Sequence, residues 1–168
     1  MTTVVELEIP APRLGFARTF DRVSTFEFQI GGLVGGSAPL VWTNGPDHET
    51  IAQALEADPS VDVIGHPTGR LLNEREGLDV DVERVATAAA DHQTALEINA
   101  NPARLDLRGS AVQTAIEAGA TITINTDAHS PAAFDQMRYG VHTARRGWAE
   151  AADVLNTWTA EEVRTFLD

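Results

Sequence analysis

Asp127 and His129, in the stretch TITINTDAHSP, stand two residues apart where an alternating run of Thr and Ile stops. A carboxylate offers hard oxygen and an imidazole offers borderline nitrogen, so such a pair in a turn can grip a divalent cation. The same residues also suit a structural role, with Asp127 capping a helix that starts near Pro131 and His129 on the surface. His66 follows the run VDVIG and precedes Pro67, and Gly65 beside it permits close backbone approach. Together His66, Asp127 and His129 bring ligand-type residues from two strand ends to one rim. Three ligands with open positions can hold an ion that lowers the pKa of bound water towards about 7. No catalytic group is separable from these ligands. The chain has no Cys, which excludes disulfides and thiolate ligation and leaves nitrogen and oxygen donors for manganese, zinc, iron or magnesium.

Around that rim lie candidates for substrate binding. Arg70 and Arg104 fall in loops after strands, where a guanidinium fork can clamp a phosphate or sit solvated. Asn99 and Asn101 lie at the end of a strand beside them. Glu97 lies mid-strand on a polar face and is expected to pair with an Arg or to orient a ligand. Arg138, Arg145 and Arg146 form a basic cluster, read as favouring a helix C-terminus rather than receiving a nucleic-acid backbone. His48, His92 and His142 are assigned no role. Trp42, Trp148 and Trp158 are expected to be packing anchors. There is no P-loop, no G-x-S-x-G and no H-E-x-x-H.

The elements that must position these residues follow two rhythms. Residues 1–60 read as strand, helix, strand, strand, helix: VVELEI and FEFQIGGLV alternate, GGSAP is a turn, and LVWTN is its hairpin partner. From residue 61 strand and helix repeat: VDVIG, a long polar loop, a helix over VDVERVATAAADH, TALEIN, a loop, SAVQTAIEAG closed by Gly119, then TITIN. AAFDQMRYGVHTA is read as helical, and Thr159 with Glu162 forms a capping box for a final helix. Strand–helix repetition implies a parallel sheet. In TALEIN and TITINTD one face is apolar and the other carries Glu97, Asn99, Thr123, Asn125 and Asp127. A doubly wound sheet is apolar on both faces, so this pattern points to part of an α/β barrel whose site lies at the strand C-terminal ends.

The 168 residues suit one domain or two small ones and are short for an eightfold barrel, which needs ~250. No run is long and apolar enough to span a bilayer, and the start lacks a secretory signal, so the expectation is a soluble, cytoplasmic protein. The formal net charge is −13 and every cation is Arg. Such a surface repels nucleic acid or reflects a very salty cytoplasm; the lack of Lys favours the latter.

VDVIGHPTGRLL, ALEINANPARLDL, INTDAHSP and MRYGVHTARRGW…DVLNT together resemble the C-terminal half of a PHP (polymerase and histidinol phosphatase) domain, in the form attached to family X DNA polymerases, over roughly residues 60–168. The resemblance implies a distorted β/α barrel with a cluster of metal ions that hydrolyses phosphoesters, acting on DNA 3′ ends as an exonuclease or phosphatase. It carries His66, Asp127 and His129 over as ligands of a divalent metal (Mn, Zn or Mg). The family's opening His-x-His and further His and Glu ligands have no counterpart here; the single His before His66 is His48. Residues 1–60 loosely resemble the N-terminal region of bacterio-opsin-activator-type regulators of salt-loving archaea.

The expected fold is thus α/β: a small ferredoxin-like unit over 1–60, with strand 61–65 claimed by both halves, then a partial, open PHP-type barrel over 61–168. An open barrel exposes a strand edge, to be covered by the N-terminal unit or by self-association. The expected function is a PHP-type phosphoesterase, incomplete and with weak or no activity. The alternatives are a non-enzymatic fusion remnant or ligand-binding module, and a hydrolase akin to histidinol-phosphate phosphatase.

Overall fold

The structure, a computed structural model, describes residues 61–167 and, before them, 7–10, 28–30, 37–42, 51–53 and 55. Three strands, β1 (Leu7–Pro10), β2 (Phe28–Ile30) and β3 (Ser37–Trp42), form an antiparallel sheet in the order β1-β3-β2. β3 begins inside the expected turn, because Ala38 and Pro39 pair with Ile9 and Glu8. The helix expected between β1 and β2 lies outside the described residues.

A second, parallel sheet runs in the order β4-β5-β6, with β4 at Val63–Ile64, β5 at Ala95–Asn99 and β6 at Ile122–Asn125. Segment 61–65 therefore belongs to this sheet. Ile64 stands beside Leu96, the Ala95 N–H donates to the Asp62 carbonyl at 2.9 Å, and the Thr94 hydroxyl donates to the Val61 carbonyl at 2.8 Å. Of the two halves that claim this segment, it is the parallel sheet with which it pairs; the antiparallel sheet has three strands among the described residues. The mixed strands and helices and the small parallel sheet are those of an α/β fold; among the described residues the parallel sheet has three strands and does not close.

Helix α1 (Val82–Asp91) starts where the Asp81 carboxylate accepts the Arg84 N–H at 3.1 Å, and it buries Val85, Ala86 and Ala89. Helix α2 (Gly109–Glu117) buries Ala111, Val112 and Ala115. It ends before Gly119, whose φ of 88° lies in the left-handed region that closes helices. Residues 131–136 wind as a 3₁₀ turn before helix α3 (Met137–Arg146). α1 packs on α2, α2 on α3, and α3 on β5 and β6. Strands in sequential order with helices touching in sequence put the helical layer on one face. A core of Leu96, Ile98, Ile122 and Ile124 under the helices, with Ile51 and Leu55 of a helical segment joining it, fills that face.

Two close fits hold this layer. Gly140 of α3 lies so near the sheet that a Cβ there would fall 2.3 Å from Ile124 Cγ2 and 2.9 Å from Ala100 Cβ. The outer edge of β6 is covered by the chain itself: Val154 bridges Ile122 in parallel, and the Asn156 amide accepts the Ile124 N–H at 2.7 Å and donates to the Ile124 carbonyl at 3.0 Å. One side chain thus imitates a neighbouring strand at the edge expected to be open. The last helix, α4 (Ala160–Leu167), has the expected capping box, with the Glu162 carboxylate accepting from Thr159 N–H and hydroxyl. Trp158 packs edge-on against Phe166, their centroids 5.6 Å apart. Trp148, by contrast, is 78% exposed: it follows α3 with φ 60°, turned away from the core, and is no packing anchor. Among the described residues no helix is long and apolar enough to cross a membrane.

Substituting Gly140→Val overpacks the α3–sheet contact and is expected to cost about 1–3 kcal/mol. Asn156→Ala leaves an edge N–H and C=O unpaired and is expected to cost a similar ~1–3 kcal/mol. Urea titrations of each variant check both; an unchanged midpoint for Asn156→Ala would mean that the β6 edge does not need this amide.

Candidate functional site

The polar face of the parallel sheet converges at its C-terminal end on one carboxylate. Glu97, 7% exposed in the middle of β5, accepts the His66 N–H on Oε2 at 2.6 Å and the Asn125 amide on Oε1 at 3.1 Å. His66 follows β4 and Asn125 ends β6, so this side chain ties all three strand ends together. Its partners are thus a backbone N–H and an amide, not the expected Arg. Burial pushes the Glu97 carboxyl above its usual range, against the pull of the His66 and Asn125 hydrogen bonds.

One step further along the face, Asn99 is buried and donates Nδ2–H to Asp127 Oδ2 at 3.4 Å, while its Oδ1 accepts the Asn101 N–H at 3.1 Å. Arg104 Nε lies 3.8 Å from the same Asp127 oxygen. Asp127 and His66 leave their strands with φ of 53° and 29°, a left-handed backbone that non-glycine residues adopt at a cost of about 1–3 kcal/mol and that clusters at functional sites.

His66 is 6% exposed, and its Nδ1 has no hydrogen-bond partner. Burial, then the Arg104 charge, push the imidazole down to about 4, so at neutral pH it is uncharged. His129 stands exposed, with Nδ1 2.8 Å from the Asp127 carbonyl oxygen. A carbonyl only accepts, so in the neutral imidazole Nδ1 carries the proton and Nε2 the lone pair. Asp127 does not cap the turn at Pro131; Ser130 holds the N-cap position there.

As donors, a neutral imidazole at His66, a lone pair on His129 and a carboxylate at Asp127 have the chemistry of metal ligands. Their arrangement does not complete a site: among the described residues no three His, Asp or Glu side chains are grouped so as to hold an ion. The charge already facing Asp127 is the Arg104 guanidinium. In this arrangement the described residues do not by themselves complete the ligand set of a divalent ion.

The remaining candidates are partly structural. Arg70 donates Nε–H to the Arg104 carbonyl at 2.8 Å and Nη2–H to the Leu105 carbonyl, so much of its fork is used within the protein. Asn101 builds a turn, its Oδ1 accepting the Ala103 N–H at 3.0 Å and its carbonyl the N–H groups of Arg104 and Leu105. Asp106 was not singled out from the sequence. Fully buried, it accepts the Thr68 N–H at 3.0 Å and the Thr68 hydroxyl at 2.8 Å, and burial pushes its carboxyl up. It joins the loop after β4 to the loop after β5. An Asp flanked by Leu105 and Leu107 in a loop is the one signal that it turns inward.

His66 gives a pH signature. Its folded pKa of about 4 lies below the unfolded 6.5, so the unfolded chain binds the extra proton between them and stability falls as pH drops through that window. The raised carboxyls of Glu97 and Asp106 act in the opposite sense, losing stability as pH rises through their folded values. Measured against a His66→Gln variant, the native chain is expected to lose about 3 kcal/mol more between pH 6.5 and 4. Equal pH slopes in urea denaturation would show that His66 protonates in the folded state.

No protein-family model matches the chain. Among curated proteins the chain is similar to the DNA polymerase/3′-5′ exonuclease PolX of Bacillus subtilis (strain 168), with 46% identity over 127 residues. The match covers 74% of this chain and 22% of that protein, so the chain spans about a fifth of its relative's length. A match of 127 residues is longer than the segment 60–168 that carries the family's sequence blocks, so the likeness reaches upstream of residue 60. Nothing in the comparisons supports the resemblance of residues 1–60 to regulators of salt-loving archaea. The identity over about three quarters of the chain supports a region related to PolX, a PHP-containing family X DNA polymerase.

Proposed function

We propose that this chain carries part of a PHP-type phosphoesterase centre, of the lineage that trims DNA 3′ ends, and that alone it hydrolyses phosphoesters weakly. The observation that carries the reading is the gathering of His66, Asn99 and Asp127 at the ends of three parallel strands, in a chain 46% identical to PolX over most of its length. His66, Asp127 and His129 are the ligands this chain would contribute to a divalent ion (Mn, Zn or Mg), the rest of the set coming from another chain. Such an ion, when bound, would activate water for attack on a phosphoester. Arg104, with Asn99, faces the phosphoester; Arg70 and Asn101 hold the loop that presents Arg104.

The fold assigned to this reading is a partial PHP-type barrel, of which β4, β5 and β6 form the C-terminal section. The covering of β6 by Asn156 and Val154 leaves self-association to edges other than this one.

A second reading, a non-enzymatic remnant or regulatory module, is favoured by the lack of any three-ligand group among the described residues. Incubating the full chain with Mn²⁺ and three substrates separates the possibilities: a labelled DNA 3′ end, a 3′-phosphorylated oligonucleotide and histidinol phosphate. The expected result, in dilute and in concentrated salt, is slow release from the DNA substrates that falls to background in Asp127→Ala. Preference for histidinol phosphate would move the chain to that branch. Background rates for native chain and variant alike would leave the non-enzymatic reading.

A further inference from the structure

We propose that the Arg104 guanidinium is the resident cation of this rim, holding Asp127 and keeping a divalent ion off His66 and Asp127 until it is displaced. The inference rests on the reading of those two residues as metal ligands. Arg104 Nε lies 3.8 Å from Asp127 Oδ2, the oxygen that also receives the Asn99 amide. The Asp127 carboxylate is thus faced by two donors before any ligand arrives.

The guanidinium is also poorly placed to lose its charge to water. The Arg104 side chain is 14% exposed, and Nη1 is buried without an acceptor. Its positive charge faces the Asp127 carboxylate. A cation at Asp127 meets that charge. The unsatisfied Nη1–H calls for an acceptor, which a metal ion cannot be.

The backbone of Arg104 is fixed as well. Its carbonyl accepts Arg70 Nε–H, its N–H donates to the Asn101 carbonyl at 2.8 Å, and the loop is tied to Thr68 through Asp106. Displacement therefore means a change in side-chain rotamer rather than in the loop. The absence of a three-ligand group among the described residues agrees with a rim arranged around a guanidinium rather than an ion.

Titration of the full chain with Mn²⁺, free ion being counted by electron paramagnetic resonance, tests this with a readout independent of activity. Arg104→Gln is expected to bind Mn²⁺ at least about tenfold tighter than the native chain, whereas Arg104→Lys, which keeps a positive charge, stays close to native. Adding Asp127→Asn to Arg104→Gln should remove the gain. If Arg104→Gln does not fold by circular dichroism, Arg104→Met, which keeps the apolar stem, carries the same comparison. Binding by the charge-removed variant no tighter than native, or a gain that survives Asp127→Asn, overturns the proposal. In that event native binding that is lost in Asp127→Ala leaves the phosphoesterase reading standing, and no binding in any form removes both.

Discussion

The parallel half of this protein depends on a carboxylate inside it. Burying Glu97 is costly, because an ionised carboxyl out of water must have its lone pairs satisfied. Here the satisfaction comes from the His66 N–H after β4 and the Asn125 amide at the end of β6. The same two bonds fix where the neighbouring strands end and which way His66 leaves the sheet. With Glu97 replaced by an apolar residue, the His66 N–H and the Asn125 amide would lose their acceptor in a buried position. The polar face of the sheet is thus a hydrogen-bonded unit and not a set of independent site residues.

A second buried carboxylate extends the unit into the loops. Asp106 takes both polar groups of Thr68, and Arg70 reaches from the same loop to the carbonyls of Arg104 and Leu105. The loops after β4 and β5 are therefore tied together, and the joined loops present Arg104 to Asp127. Long loops ordinarily carry mobile side chains. These are anchored because their charged groups turn inward and find backbone partners. The guanidinium of Arg70, which resembles a phosphate clamp in sequence, is used as a brace.

On the far side, the sheet is defended by small residues and an amide. α3 approaches closely enough to need Gly140 over Ile124 and Ala100, and Asn156 stands in for a strand along β6. A sheet edge offers unpaired N–H and C=O groups to any passing chain. Covering it with a side chain from a 3₁₀ turn protects three strands without adding a fourth. The β6 edge of this small parallel sheet is thereby covered by residues 154–156.

Much was legible in the residues alone. Helix α1, the Gly119 stop after α2, the capping box at Thr159 and the one-sided polarity of β5 and β6 are short-range consequences of propensity and period. The same period placed Glu97, Asn99 and Asp127 on one face, and so marked the rim. The tertiary structure alone decided what each of them touches. Glu97 meets a backbone N–H rather than an Arg, Asp106 turns inward, segment 61–65 joins β5, Trp148 faces solvent, and Arg104 stands beside Asp127. The reason is physical: period fixes the face on which a side chain lies, whereas partner and charge state depend on groups brought near from more than twenty residues away and on the water excluded between them.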